Sequence, residues 1–215
     1  VRKGEFLTIL GPSGCGKSTL FYVLMRLLYP LKGNIFIQGK NYDDLAEKSI
    51  REHFAVAFQE HHIFNLSIRD NFKMLYENIT DEEIYKSLEN VYLLDFVNQV
   101  GLDYIVGNDG NKLSGGQKHR LQLAICLAKQ KDIILLDEPT AGLDIKTTNN
   151  ICSQLMEKYQ KQTMIVTSHD ISLLRFFDDI IICGEEKIIE QGNIKKLLLR
   201  EDSYLNKLIR YKNFI

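Results

Sequence analysis

Gly11-Pro12-Ser13-Gly14-Cys15-Gly16-Lys17-Ser18-Thr19 stands between an apolar run, Phe6-Leu7-Thr8-Ile9-Leu10, and a segment of helical character, Leu20-Phe21-Tyr22-Val23-Leu24-Met25. Strand, glycine-rich loop and helix form the setting in which G-x-x-x-x-G-K-[ST] becomes a phosphate site. Gly14 and Gly16 let backbone N–H groups curl around phosphate oxygens. The helix start adds orphan N–H groups and the positive end of its dipole. Lys17 brings a point charge for the β- and γ-phosphates, and the Ser18 hydroxyl a ligand for Mg²⁺. At average composition the pattern arises by accident in roughly one chain in a hundred, and the flanking elements lower those odds. The stretch Gly11–Thr19 reads as a nucleoside triphosphate site.

The rest of the composition sets bounds. The chain has 215 residues, 45% hydrophobic and 26% charged, which suits one large globular domain or one domain with an inserted subdomain. A net charge of -1 gives no reason to expect nucleic acid or an anionic membrane as the main partner. Cys15, Cys126, Cys152 and Cys183 lie far apart with no C-x-x-C pair, the pattern of reduced thiols in a cytosolic compartment. With no apolar run of 18 residues and no signal peptide, the fragment is expected to be soluble. It begins with Val1 and enters a strand almost at once, so it is expected to be cut from something longer.

Along the chain, Tyr29-Pro30-Leu31-Lys32-Gly33 ends the first helix, and Asn34–Lys40 reads as a short strand closing on a glycine turn. Phe54–Phe58 reads as a buried strand that delivers Gln59. Residues from about 66 to 128 read mostly as helix. Thr80-Asp81-Glu82-Glu83 is a capping-box pattern before Ile84, Leu88, Val91 and Tyr92 at helical spacing, and Lys118–Lys129 is a second helix. This block is expected to be an inserted helical subdomain, about 66–128, within a core of 1–65 and 129–215. Ile133–Leu136 and Thr163–Thr167 read as strands, Thr147–Gln160 and Ser172–Phe177 as helices, and Asp179–Glu190 as a hairpin around Gly184. The tail from Ile194 to Ile215 is expected to be helical and basic.

Two constellations carry further chemistry. Ile133-Ile134-Leu135-Leu136-Asp137-Glu138 sets adjacent carboxylates at the end of a strand that reads as buried on both faces. Beyond the carboxyl ends of a parallel sheet is where ligands sit, so Asp137 is placed to hold Mg²⁺ and Glu138 to polarise an attacking water. Leu113-Ser114-Gly115-Gly116-Gln117 runs straight into a helix and reads as a second anion-binding helix start. One nucleotide needs one phosphate loop. A second anion site in the same chain suggests that two chains share each nucleotide.

With these motifs in order, and with Gln59, Ala141-Gly142-Leu143-Asp144 and Thr167-Ser168-His169-Asp170, the chain resembles the nucleotide-binding domain of ATP-binding cassette (ABC) transporters over nearly its whole length. The resemblance implies an α/β fold: a P-loop NTPase (RecA-like) core with a mostly parallel sheet, an inserted α-helical signature subdomain, and an N-terminal antiparallel β region that is incomplete here. It implies a head-to-tail dimer holding two ATP molecules. Each would lie between Gly11–Thr19 of one protomer and Ser114, Gly115, Gly116, Gln117 and Asp144 of the other. It assigns Glu138, His169 and Gln59 to hydrolysis, with His169 on the γ-phosphate and orienting Glu138. Mg²⁺ would be held by Ser18, Gln59 and Asp137. The partners implied are a second such domain and transmembrane domains, expected to be fused N-terminally, at the cytoplasmic face of a membrane. His61-His62 reads as a surface for a membrane-domain helix or as solvated loop, and His53 and His119 as structural or surface residues.

Phe64–Asn71, Val106–Gly110 and the tail from Ile189-Glu190-Gln191-Gly192 to Tyr204-Leu205 are similar to exporter-type cassettes. Asn108 departs from them, since exporters usually carry Glu there, and Glu138–Asp144 is closer to importer-type cassettes. An exporter domain is the preferred reading. An importer ATPase subunit is the alternative, and a soluble DNA-repair ATPase is disfavoured by the lack of a coiled coil or zinc module between the motifs. The aromatic residue that stacks on adenine in the family has no counterpart upstream of Gly11, where Phe6 lies within the strand.

Overall fold

The computed structural model describes residues 1–59, 62–185 and 187–212. His61, half of the His61-His62 pair, and Asn213-Phe214-Ile215 of the expected helical tail therefore lie outside the described residues. In chain order the elements are β1 (Phe6–Leu10), α1 (Lys17–Leu24), β2 (Phe36–Ile37), β3 (Lys40–Asn41), α2 (Glu47–Glu52), β4 (Phe54–Ala57), α3 (Ile68–Lys73), α4 (Asp81–Asn90), α5 (Leu94–Val100), α6 (Gly115–Leu127), β5 (Ile133–Asp137), α7 (Ile145–Lys158), β6 (Thr163–Ser168), β7 (Asp179–Gly184), β8 (Lys187–Asn193), α8 (Ile194–Leu198) and α9 (Tyr204–Lys212). They fall into two compact units. The first comprises Val1–Phe54, Lys131–Glu138 and Lys161–Ile215, and the second Ala55–Gln130 and Pro139–Gln160.

The first unit is built on a sheet in which β5, β6, β1, β7 and β8 lie side by side in that order. The neighbouring pairs among β5, β6, β1 and β7 are parallel, and β7 and β8 form an antiparallel hairpin. β1 and β6 are buried along their whole length, with Thr8, Thr163, Thr167 and Ser168 included, as strands covered on both faces of a parallel sheet are. Each fully buried Ile or Leu contributes about 1.5–3 kcal/mol by removal from water. The register aligns Leu10 with Ser168 and with Ile182, and Asp137 with Thr167. The carboxyl ends of four strands thus finish side by side, and whatever follows each strand joins a common rim.

In the second unit α4, α5, α6 and α7 bury Ile84, Leu88, Val97, Leu121, Ala124, Ile151 and Leu155. α4 starts on the expected capping box, with Thr80 accepting from the Glu83 N–H and the Glu83 carboxylate accepting from the Thr80 N–H. Val91 is fully buried, but Tyr92 is exposed and has φ 57°, because the helix has already ended at Asn90.

Four local expectations are corrected. Asn34–Lys40 is not one strand: Gln38 and Gly39 both have positive φ, the conformation of a two-residue hairpin loop, and the run folds back as β2 and β3. Ile171–Phe176 is a 3₁₀ segment, not an α-helix. α7 begins at Ile145, two residues before the expected Thr147, because Asp144 is its N-cap. The tail is broken between α8 and α9, where the Glu190 carboxylate accepts from the Ser203 hydroxyl and the Leu205 N–H, 2.9 Å each. Among the described residues no helix is long and apolar enough to cross a membrane.

Candidate functional site

In the first unit, β1 delivers the loop Gly11–Gly16 onto the rim. Gly14 and Gly16 take φ 82° and 97°, left-handed values that favour glycine. Gly16 is the N-cap of α1 and supplies no side-chain acceptor, so the N–H groups of the first turn are left to an external anion. Lys17 is buried, 8% exposed as a residue, and its ammonium donates to the carbonyls of Gly11 and Pro12 at 2.9 and 3.0 Å. Gly11 has no room for a side chain. A Cβ there would stand 2.7 Å from Cys15 Sγ and 2.8 Å from the Cys183 carbonyl oxygen, a consequence of β7 running alongside β1 in register.

β5 and β6 deliver the acidic end of the same rim. Asp137 is 3% exposed and accepts a hydrogen bond from the Thr167 hydroxyl. The same hydroxyl oxygen, together with the Thr167 carbonyl, accepts from the Glu138 N–H at 3.2 and 3.1 Å. Thr167, wholly buried, therefore fixes both carboxylate residues. Glu138 has φ 50°, a left-handed conformation that costs a non-glycine residue about 1–3 kcal/mol and is found at functional sites. His169 Nδ1 lies 3.0 Å from Glu138 Oε2, with the carboxylate side chain 13% exposed and the imidazole 66% exposed. Asp170, next in the chain, is the N-cap of the 3₁₀ segment and accepts from the Ser172 N–H at 2.8 Å, which fixes the chain just past His169.

The second unit holds the other expected set. Ser114 is the N-cap of α6 in a full capping box: its hydroxyl accepts from the Gln117 N–H at 3.2 Å, and the Gln117 side chain accepts from the Ser114 N–H at 2.8 Å. The N–H groups of Gly115 and Gly116 are outside that reciprocal pair. Leu143 reaches this helix start, since a Cβ on Gly116 would stand 3.4 Å from Leu143 Cδ2. Arg120 donates from Nε to the Gly116 carbonyl at 3.2 Å. Burial pushes its guanidinium pKa down, and the negative charge of Asp144 opposes that shift. Asp144 caps α7, accepting from the Thr147 N–H at 2.9 Å and the Thr147 hydroxyl at 2.6 Å. Gln59 is exposed in this unit, one residue past Phe58, whose carbonyl accepts from Gln122 of α6 at 3.1 Å.

The sequence-derived residues thus sort by unit. Gly11–Thr19, Asp137, Glu138 and His169 belong to the first, and Gln59, Ser114–Gln117 and Asp144 to the second. Thr167 and Arg120 were not anticipated as positioning residues. Thr167 had a signal, a hydroxyl residue at the end of the strand beside Asp137, but its partner depends on register. Of the histidines left unassigned, His53 bonds Asp132 at 2.8 Å across the first unit, and His119 is buried in α6.

The sequence model of the ABC transporter family matches residues 1–141. The β-(1→2)glucan export ATP-binding/permease protein NdvA of Agrobacterium vitis is 35% identical over 92% of this chain and 34% of its own length. The glutathione/L-cysteine transport system ATP-binding/permease protein CydC of Escherichia coli is 36% identical over 95% of this chain and 36% of its own. The solved structure of a bacterial Atm1-family ABC exporter with ATP bound aligns with a TM-score of 0.91 at 31% identity, over 98% of this chain and 37% of that one. The chain therefore spans about a third of the length of the relatives it matches.

Proposed function

The chain belongs to the ABC transporter family as an ATP-binding domain, and on that premise we propose that it hydrolyses ATP to drive export through transmembrane domains joined to it in a longer protein. The observation that carries the chemistry is the His169–Glu138 pair beside a buried Asp137, on the rim that also bears the phosphate loop. Gly14, Gly16 and the first turn of α1 bind the phosphates through backbone N–H groups, and the Lys17 ammonium supplies charge at the β- and γ-positions. Glu138 takes the proton of the attacking water. The Nδ1 contact fixes the carboxylate's direction, leaving the exposed side of the imidazole for the γ-phosphate.

Ser18 and Asp137, with Gln59 added by the family resemblance, would hold Mg²⁺, which would supply positive charge beside the phosphates. Their hydroxyl, carboxylate and amide oxygens are the hard donors that ion takes. Among the described residues no group of three His, Cys, Asp or Glu side chains is poised for a metal, and Mg²⁺ with a nucleotide needs only one or two carboxylates.

Ser114–Gln117 and Asp144 complete a site for the nucleotide of a second copy. The presence of a second glycine-rich helix start, held by Leu143 and Arg120, supports this reading. ATP then joins two domains, and hydrolysis lets them part, shifting the populations of attached membrane helices. The relatives named as export or ATP-binding/permease proteins favour export over import. The test compares Lys17→Ala with Glu138→Gln. The first should lose nucleotide binding, whereas the second should bind ATP and not turn it over. Hydrolysis that survives Glu138→Gln would refute the assignment.

A further inference from the structure

The rim carries a pair of thiols that the hydrolytic reading leaves unused. Cys15 lies between Gly14 and Gly16 in the loop, and Cys183 lies at the carboxyl end of β7. Both are partly accessible, whereas Cys126 and Cys152 are buried. The two accessible thiols converge on one point: a Cβ placed on Gly11 would stand 2.7 Å from Cys15 Sγ and 3.2 Å from Cys183 Cβ. The pairing of Leu10 with Ile182 makes this a property of the fold, since the next residue on each strand is Gly11 and Cys183.

We propose that Cys15 and Cys183 are an oxidation site, closed by a hydroperoxide to a disulfide that disables the phosphate loop. In the first step the Cys15 thiol attacks the peroxide, forming a sulfenic acid and releasing one molecule of water or alcohol. In the second the Cys183 sulfur attacks the Cys15 sulfur, forming the S–S bond and releasing water. The two thiols give up two electrons and two protons, and the peroxide O–O bond is the one reduced. Cys15 reacts first because it sits in the exposed loop. Burial, and then the charge of Cys15, push the Cys183 thiol pKa up, with Lys17 opposing, so Cys183 is the slower thiol toward peroxide and acts as the resolving partner, its proton leaving with the departing hydroxyl as water. A disulfide needs Cβ atoms about 3.5–4.5 Å apart, and the flanking glycines give the loop freedom to bring Cys15 there. The bond would then draw the loop's apex onto β7, moving the Gly14 and Gly16 N–H groups off the phosphates.

The effect on nucleotide binding rests on the proposed function, but the bond itself does not. The full chain, without nucleotide, is treated with hydrogen peroxide and analysed by intact mass and by non-reducing proteolytic mapping. The expected result is loss of two hydrogens, a linked Cys15–Cys183 peptide, parallel loss of ATP binding, and recovery of both with dithiothreitol. Cys183→Ala and Cys183→Ser should bind ATP as the parent does and form no link, with Cys15 proceeding to oxygen adducts instead. Oxygen adducts on Cys15 in the parent without a linked peptide would overturn the proposal, and so would a Cys15–Cys15 link between chains. A Cys15–Cys183 peptide formed on oxidation of a chain that bound no ATP before oxidation would keep the thiol pair and remove the nucleotide reading.

Discussion

His169 Nδ1 stands 3.0 Å from Glu138 Oε2, although the two residues come from different strands. The contact exists because β5 and β6 run parallel with Asp137 opposite Thr167. Each strand then places its next polar residue on the same rim. An exposed imidazole against a mostly covered carboxylate is the arrangement of a base and its orienting group.

His169→Ala should lower single-turnover ATP hydrolysis by about 10²–10⁴-fold, the usual range for a lost proton-transfer arrangement. ATP affinity should fall much less, by the loss of one γ-phosphate contact, because the loop and Lys17 are untouched. A large fall in affinity with turnover preserved in saturated enzyme would make His169 a binding residue only.

Thr167→Val keeps the shape of the side chain and removes the hydroxyl that serves both Asp137 and the Glu138 N–H. Leaving those groups short of a partner should cost about 1–3 kcal/mol of stability, read as a lower urea midpoint, and should slow hydrolysis. Thr167→Ser should restore both. Failure of serine to rescue would show that the methyl group, not the hydroxyl, matters.

Gly11→Ala places a methyl against the Cys183 carbonyl at 2.8 Å, and backbone cannot swing aside as a side chain can. Overpacking of this kind costs about 1–3 kcal/mol, and the displaced loop should lose ATP binding outright. Wild-type affinity in this variant, measured by nucleotide fluorescence, would contradict the close approach of β7 to the loop.

The hydrogen bonds from Thr147, first its hydroxyl and then its N–H, hold the Asp144 carboxyl below the usual carboxylate range. A depressed folded pKa contributes stability that is present above the unfolded value, about 3.9, and is lost as pH falls through the folded one. Asp144→Asn keeps a capping acceptor but cannot titrate. Its unfolding midpoint should therefore fall less steeply than the parent's as acid is added below about pH 4. Parallel curves would remove Asp144 from the acid response.

The main strands, both glycine-rich helix starts, the capping box at Thr80 and the Asp137-Glu138 pair were legible because each is a local pattern with its own physics. Phosphate loops need glycine at fixed offsets, and a strand such as Ile133–Leu136 is marked by its unbroken apolar run. What was not legible depends on register or on a single dihedral. The Thr167 hydroxyl bridging Asp137 and Glu138, the left-handed Glu138 and the approach of Cys183 to Gly11 all follow from how β1, β5, β6 and β7 align. The turn at Gly39 was legible, but not the return of Lys40-Asn41 onto Phe36-Ile37, because Gln38 gives no hint of positive φ. The break before α9 comes from a distant carboxylate, Glu190, that caps Ser203 and Leu205.

The central claim, that two copies share each nucleotide, is tested most directly by sedimentation of Glu138→Gln with Mg-ATP. Removing the base while keeping its shape should trap ATP, and the variant should sediment as a dimer that reverts to monomer without nucleotide. Adding Ser114→Arg, which fills the second helix start, should prevent that dimer while leaving ATP bound to the monomer. A Glu138→Gln variant saturated with ATP and still monomeric at every concentration would contradict the shared site.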